Sequence, residues 1–224
     1  MMLLEPVITT KPHPARYTES LLPVMARMAE NYSPLLDPMA GTGRIFKLAR
    51  FGYTGEIHAI EMMPQWAAHH PKTKIGNALH LDYPDNSFGA VCVSPAYGNR
   101  MADKHLPDGT RRNTYANYYG DNLPEDNGAA LQWGDAYREL HRAAWAEARR
   151  VLANGGVFVL NIKDHIRNGK RMRVTLWHIF CLQSLGFELV EYVRVDCPGQ
   201  RNGQNHDLRM EYESVIKFRL GVAA

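Results

Sequence analysis

Short apolar runs alternate along the chain with stretches of helical spacing, and this alternation restricts the fold more than any single residue does. Leu35–Asp37, Glu56–Ile60, Lys74–Ile75, Ala90–Ser94, Val157–Ile162, Leu189–Val195 and Ser214–Arg219 read as strands. Thr18–Glu30, Ile45–Phe51, Pro64–His69, Asp135–Leu152 and Val174–Leu185 read as helices. Such a pattern predicts an α/β sheet of seven strands, mostly parallel, with helices on both faces. The last two strands are joined by Pro198–Arg209, which suffices for a hairpin connection and is too short for a helical crossover, so the final strand is expected to run antiparallel. Within Asp135–Leu152, Leu140, Ala144, Ala148 and Leu152 recur every four residues, and Gly155-Gly156 is expected to mark the end of that helix.

A chain of 224 residues, 45% hydrophobic and 22% charged, fits one ordinary globular domain over 1–224. It holds no apolar run near the ~20 residues that cross a bilayer. Met1-Met2-Leu3-Leu4-Glu5-Pro6 is too short for a secretion signal and lacks its basic start, so a cytoplasmic protein with no membrane partner is expected. Cys92, Cys181 and Cys197 are odd in number and widely spaced, which indicates neither a disulfide framework nor a zinc site, and no metal is expected. The formal net charge of +3 permits nucleic-acid binding without arguing for it. The distribution says more: Lys163, Arg167, Lys170, Arg171 and Arg173 crowd into eleven residues with Asp164 as their one acid. That cluster suits phosphates, or equally a solvated loop.

Residues 97–134 break the rhythm, being rich in Asn, Asp, Gly, Pro and Tyr. Long irregular segments in compact domains are usually functional or disordered. From Met101 to Trp133 five acids outnumber three Lys and Arg, so this insertion is a poor phosphate clamp and is expected to act as a lid or a substrate-reading loop.

Four short motifs carry the chemistry. After the first strand come Asp37, Pro38, Met39, Ala40, Gly41, Thr42 and Gly43, where a ligand can approach the backbone at the two glycines without meeting a Cβ. A plain tight turn has the same composition. Glu61 closes the second strand about twenty residues later, placed to accept hydrogen bonds from ribose hydroxyls, or simply exposed at a strand end. Asn77 follows the third strand, where its amide suits an adenine edge or an ordinary turn.

The fourth motif is Ser94-Pro95-Ala96-Tyr97, at the end of the fourth strand. An exocyclic amine on a base has its lone pair delocalised into the ring and becomes nucleophilic only when acceptors hold its hydrogens. Ser94 Oγ and the Pro95 carbonyl are such acceptors. Tyr97 offers a flat face on which a base taken out of its stack can rest. On its own this would be a Ser-Pro turn; after a fourth strand in this order it reads as an amine site.

In these motifs the chain resembles the S-adenosylmethionine-dependent DNA amino-methyltransferases, which methylate adenine N6 or cytosine N4. The resemblance implies a class I, Rossmann-like methyltransferase fold with S-adenosyl-L-methionine as cofactor and DNA as partner. It covers most of the chain. Lys11-Pro12-His13-Pro14-Ala15-Arg16-Tyr17 is similar to the N-terminal motif that packs over the cofactor, which implies cofactor contacts for Lys11, His13, Pro14 and Tyr17. Asp37 to Gly43 resemble the methionine-binding loop, Glu61 with Met62 the ribose position, and Asn77-Ala78 the adenine position. Ser94-Pro95-Ala96-Tyr97 resembles the catalytic [DNS]-P-P-[YFW] motif, with Ser94 also at the cofactor. The longer Ser94–Arg100 and Asn161–Arg167 look like segments of small methyltransferases encoded by phages and prophages of actinobacteria, the setting of restriction-modification or of a host cytoplasm.

Placement at the carboxyl edge of the sheet turns the basic cluster toward phosphate contact. Asn99, Arg100, Lys163, Asp164, His165, Arg167, Lys170 and Arg171 are therefore the expected substrate contacts. Two positions depart from the family pattern: Ala96 replaces the second proline, and Asn77 stands where Asp is common. RNA base methylation at guanine N2 or adenine N6, or an impaired module that binds cofactor and DNA without turnover, are the alternatives. A homodimer is compatible with the sequence.

Overall fold

A computed structural model describes residues 18–99, 123, 124, 126–197 and 206–221. Lys11, His13, Pro14, Tyr17 and Arg100 lie outside the described residues, as does most of the 97–134 insertion.

A seven-stranded sheet organises the molecule. Its strands are β1 (Leu35–Asp37), β2 (Ile57–Glu61), β3 (Thr73–Ile75), β4 (Phe88–Val93), β5 (Leu152–Ile162), β8 (Phe187–Asp196) and β9 (Tyr212–Leu220), in the order β3-β2-β1-β4-β5-β9-β8. Pairings from β3 through β5 are parallel, whereas β9 runs antiparallel to both β5 and β8. The fold expected from the sequence, including its antiparallel last strand, is the one observed.

The central strands are largely apolar because both of their faces are covered. Val91 and Val93 of β4, with Phe158 and Leu160 of β5, pack with α3 (Asp135–Val151) and α4 (Val174–Ser184). Ala90 and Cys92, with Val157 and Val159, turn to the opposite face and meet α1 (Leu22–Ala29) and the 3-10 helix Arg44–Phe51. A short α2 (Pro64–Ala67) follows β2. Among the described residues no helix is long and apolar enough to cross a membrane.

Three details differ from the sequence expectation. The buried stripe of α3 is Tyr137, His141, Ala144, Trp145, Ala148 and Val151, so Leu140 lies at its margin and three residues with polar atoms enter the core. Gly155-Gly156 sits inside β5, near a register shift in the β4–β5 pair, and not just beyond the helix, which ends at Val151. The basic segment after β5 is a hairpin, β6 (His165–Arg167) against β7 (Lys170–Met172). Asn168 (φ 51°) and Gly169 (φ 68°) form its tip, the two positive-φ positions that a tight two-residue hairpin needs.

Candidate active site

The carboxyl ends of β1, β2 and β4 open into a cavity of about 390 Å³, within the range of small-molecule sites. Asp37 is fully buried at the end of β1, and its Oδ1 accepts the Met39 N–H at 3.0 Å, which turns the chain out of the strand. The turn is then tied to β2: Ala40 N–H donates to Ile60 O at 2.9 Å, and Gly41 N–H to Glu61 Oε2 at 2.7 Å. Glu61 Oε1 accepts the Met63 N–H at 2.9 Å. Burial raises the Glu61 carboxyl from its ordinary value, while the N–H groups of Met63, Gly41 and Met62 oppose that shift. A carboxylate so held keeps further lone pairs for hydroxyl donors at the cavity wall.

The two glycines of the turn have different jobs. Gly41 (φ 55°) lines the cavity together with Pro38, Met39, Ala40 and Thr42. Gly43 is not among the lining residues; it has φ 75°, and a Cβ there would lie 2.6 Å from His70 Cβ, so this glycine serves packing of the turn.

At the next wall, Met62, Asn77, Ala78 and Leu79 meet Asp126, Asn127, Gly128 and Ala129. The Asn77 amide is committed: its Oδ1 accepts Leu79 N–H at 2.9 Å and its Nδ2 donates to Asp126 Oδ2 at 2.6 Å. Asn77 thus holds the Asp126 carboxylate at the cavity wall.

Ser94, Pro95, Ala96, Tyr97 and Asn99 form the remaining side with Glu213. Ser94 Oγ lies 2.8 Å from Asn161 Oδ1 and 3.0 Å from the Tyr97 hydroxyl. That hydroxyl also reaches Asn161 Oδ1 at 2.8 Å and Glu213 Oε2 at 3.0 Å. Asn161 Nδ2 donates to Glu213 Oε2 at 3.2 Å and Ser214 O at 3.4 Å, which fixes the amide with its oxygen toward Ser94. Tyr97 has one proton, and a carboxylate is the stronger acceptor, so Tyr97 donates to Glu213 and Ser94 donates to Asn161. Burial, followed by the Glu213 charge, holds the Tyr97 phenol well above its ordinary value, so it stays a donor at neutral pH. With its proton directed inward, Ser94 Oγ keeps its lone pairs for a donor in the cavity.

None of the basic-cluster residues lines the cavity. Asp164 is buried, accepting Thr175 N–H at 2.8 Å at the start of α4 and Arg171 Nε at 2.7 Å, so it anchors the hairpin. Lys163 Nζ reaches Cys197 O at 3.3 Å and Glu213 Oε1 at 3.9 Å. His165 is half-buried, with neither ring nitrogen hydrogen-bonded, and burial lowers its affinity for a proton. Arg167 and Lys170, flanking the hairpin tip, and Arg173 are exposed. Arg171 is exposed as well while bonded to Asp164, so of the five cluster cations only Lys163 turns inward.

Trp66, Asp126, Asn127, Leu140 and Glu213 also line the cavity without having been expected at the site from the sequence. One signal was legible. Asn161 is the single polar residue in the buried run Val157–Ile162; in the β5–β9 register it pairs with Val215 and Ile162 with Ser214, next to Glu213.

No family model and no curated protein matches the chain. Solved structures do, at low identity. An S-adenosylmethionine-dependent methyltransferase from Methanosarcina mazei aligns with TM-score 0.53 at 14% identity, covering 84% of this chain and 92% of that one. The N-methyltransferase NodS from Bradyrhizobium japonicum aligns with TM-score 0.51 at 16% identity, covering 90% and 94%. The [4+2]-cyclase SpnF aligns with TM-score 0.52 at 15% identity, covering 90% and 82%, so the same architecture also carries other chemistry. The chain has the class I, Rossmann-like fold of the S-adenosylmethionine-dependent methyltransferases.

Proposed function

We propose that this protein transfers the methyl group of S-adenosyl-L-methionine to the exocyclic amine of a base in DNA, cytosine N4 or adenine N6. The observation that carries the reading is the orientation of Ser94: its proton goes to Asn161, and its lone pairs are left for an amine hydrogen.

The cavity residues fit the cofactor along its length. Gly41 and the turn around it admit the methionine part, and Arg44 brings a cation to that end for the carboxylate. Glu61 offers its remaining lone pairs to ribose hydroxyls, and Asp126, oriented by Asn77, offers a carboxylate to the adenine amine. When bound, the cofactor supplies an electrophilic methyl group on a sulfonium.

Ser94 Oγ and the Pro95 carbonyl hold the two hydrogens of the target amine and localise its lone pair on nitrogen. The Tyr97 ring, fixed through its hydroxyl, supports the base plane. The surplus proton leaves to water, so no strong general base is required. Arg167 and Lys170 lie at the tip of a hairpin that follows β5 at the same sheet edge and are suited to phosphates of the nucleic acid.

The test is calorimetry of cofactor binding, paired with labelled-methyl transfer to varied DNA, tRNA and rRNA. Binding with methyl incorporation into DNA supports the reading. Incorporation into RNA alone gives the substrate as RNA, and binding without any transfer makes the protein a non-catalytic module; both reject it.

A further inference from the structure

Resting on the reading above, we infer that Tyr137 is a positioning residue: with His178 and Trp145 it forms a directional hydrogen-bond chain that locks the Ala96 carbonyl and so sets the angle of Tyr97.

The direction follows from donor chemistry. Trp145 Nε1 is a donor only and lies 3.0 Å from His178 Nδ1, so Nδ1 accepts. A neutral imidazole with Nδ1 accepting carries its proton on Nε2, and that nitrogen lies 3.0 Å from the Tyr137 hydroxyl. Tyr137 therefore accepts from His178, and its own proton goes to Ala96 O at 2.7 Å. No other arrangement satisfies the three contacts at once. Burial holds His178 well below its ordinary value and Tyr137 well above, so both stay neutral and the direction persists across the working pH range. Trp145, His178 and Tyr137 are each fully buried.

The lock acts on Tyr97 from one side, and a second contact acts from the other. Trp133 N–H donates to Gly98 O at 2.8 Å. Gly98 has φ 62°, and a Cβ there would sit 3.0 Å from Trp133 N, so the turn admits no other residue without strain. Tyr97 thus lies between two pinned carbonyls while Glu213 holds its hydroxyl. In this chain Ala96 stands where a proline would stiffen the loop. The hydrogen bond from α3 supplies the missing stiffness from outside the motif.

Tyr137→Phe removes the one hydroxyl that connects the hydrogen-bond chain to the loop and leaves the ring in place. Its expected effect is a turnover reduced roughly 10- to 100-fold, the scale of a small misplacement of reacting groups. Cofactor affinity by calorimetry stays within about twofold, because the lock touches the base side of the cavity. Hydrogen exchange over residues 94–99 becomes faster in the variant, a readout that does not depend on methyl transfer. Trp145→Phe, at the far end of the hydrogen-bond chain, frees the His178 tautomer and produces the same split in weaker form. Unchanged exchange at 94–99 in Tyr137→Phe overturns the inference. So does a loss of cofactor affinity as large as the loss of turnover. If the wild-type protein proves inactive on nucleic acid, the proposed function fails while the exchange measurement still decides the lock.

Discussion

Ser94 Oγ donates to Asn161 Oδ1 across 2.8 Å, joining the end of β4 to the end of β5. The bond is a selection of lone pairs: a serine that spends its proton on Asn161 faces the cavity as an acceptor. Asn161→Ala removes this partner and lets the hydroxyl rotate. Turnover is expected to fall by about 10²-fold, comparable to losing one preorganised hydrogen-bonding group at a reacting centre. Single-turnover methyl transfer measures this, and the cofactor dissociation constant should change little.

Tyr97 lines the cavity with its hydroxyl tied to Glu213, and in the proposed function its ring supports the base. Tyr97→Ala removes the stacking face, worth about 1–3 kcal/mol per base, and DNA affinity should weaken by roughly 10- to 100-fold. Tyr97→Phe keeps the face and leaves Glu213 short of a donor, so its main effect is a lower melting temperature. Both variants bind cofactor normally. Parallel fluorescence titrations with DNA and calorimetric titrations with cofactor separate the two effects.

Asp126 is held at the cavity wall by Asn77 Nδ2, and in the proposed cofactor placement it faces the adenine amine. Asp126→Ala removes a charged acceptor from the adenine wall, a loss of about 1.5–3 kcal/mol, so cofactor affinity should drop roughly 10- to 100-fold. An S-adenosylhomocysteine analogue with hypoxanthine in place of adenine lacks the amine. Wild-type protein should discriminate against it, and the variant should not.

Arg167 and Lys170 flank the hairpin tip and are exposed. Replacing both by Ala should weaken DNA binding uniformly across sequences and reduce the salt slope of log K by roughly two, one for each phosphate left without its cation. Binding isotherms at a series of salt concentrations give the slope.

His141 and His178 are fully buried beside each other. Burial lowers the His141 pKa from 6.5 to about 4, against the opposing pull of its bond to Tyr137 O, and holds His178 well below 6.5. Both are neutral in the fold and would take up protons in the unfolded chain. The stability this represents is therefore complete above pH 6.5 and is lost as pH falls toward 4. For His141 alone it amounts to roughly 3 kcal/mol, so a melting curve at pH 4.5 should lie on the order of 10 °C below that at pH 7.5.

The sheet was legible because its central strands, buried on both faces, read as apolar runs, and because a connection as short as Pro198–Arg209 permits only a hairpin. The helical face of α3 was placed one residue off. Apolar periodicity alone cannot register Tyr137, His141 and Trp145, whose hydrogen-bond partners are His178 and the backbone carbonyls of Ala96 and Tyr137. The Asn168-Gly169 dipeptide carried a hairpin signal that the surrounding charges obscured. At the site, the motifs after β1, β2, β3 and β4 converge on one cavity because parallel strands present their carboxyl ends together. Glu213 and Asp126 were not legible, since their place at the cavity follows from strand pairing and chain return over distances that no local pattern encodes.

The most direct measurement is mass spectrometry of nucleosides from the DNA of cells that express the protein. Wild-type protein is predicted to give N4-methylcytosine or N6-methyladenine above background, and Ser94→Ala to give background alone. DNA with neither nucleoside, from cells in which the wild-type protein is folded and binds S-adenosyl-L-methionine, would contradict methylation of DNA bases as its function.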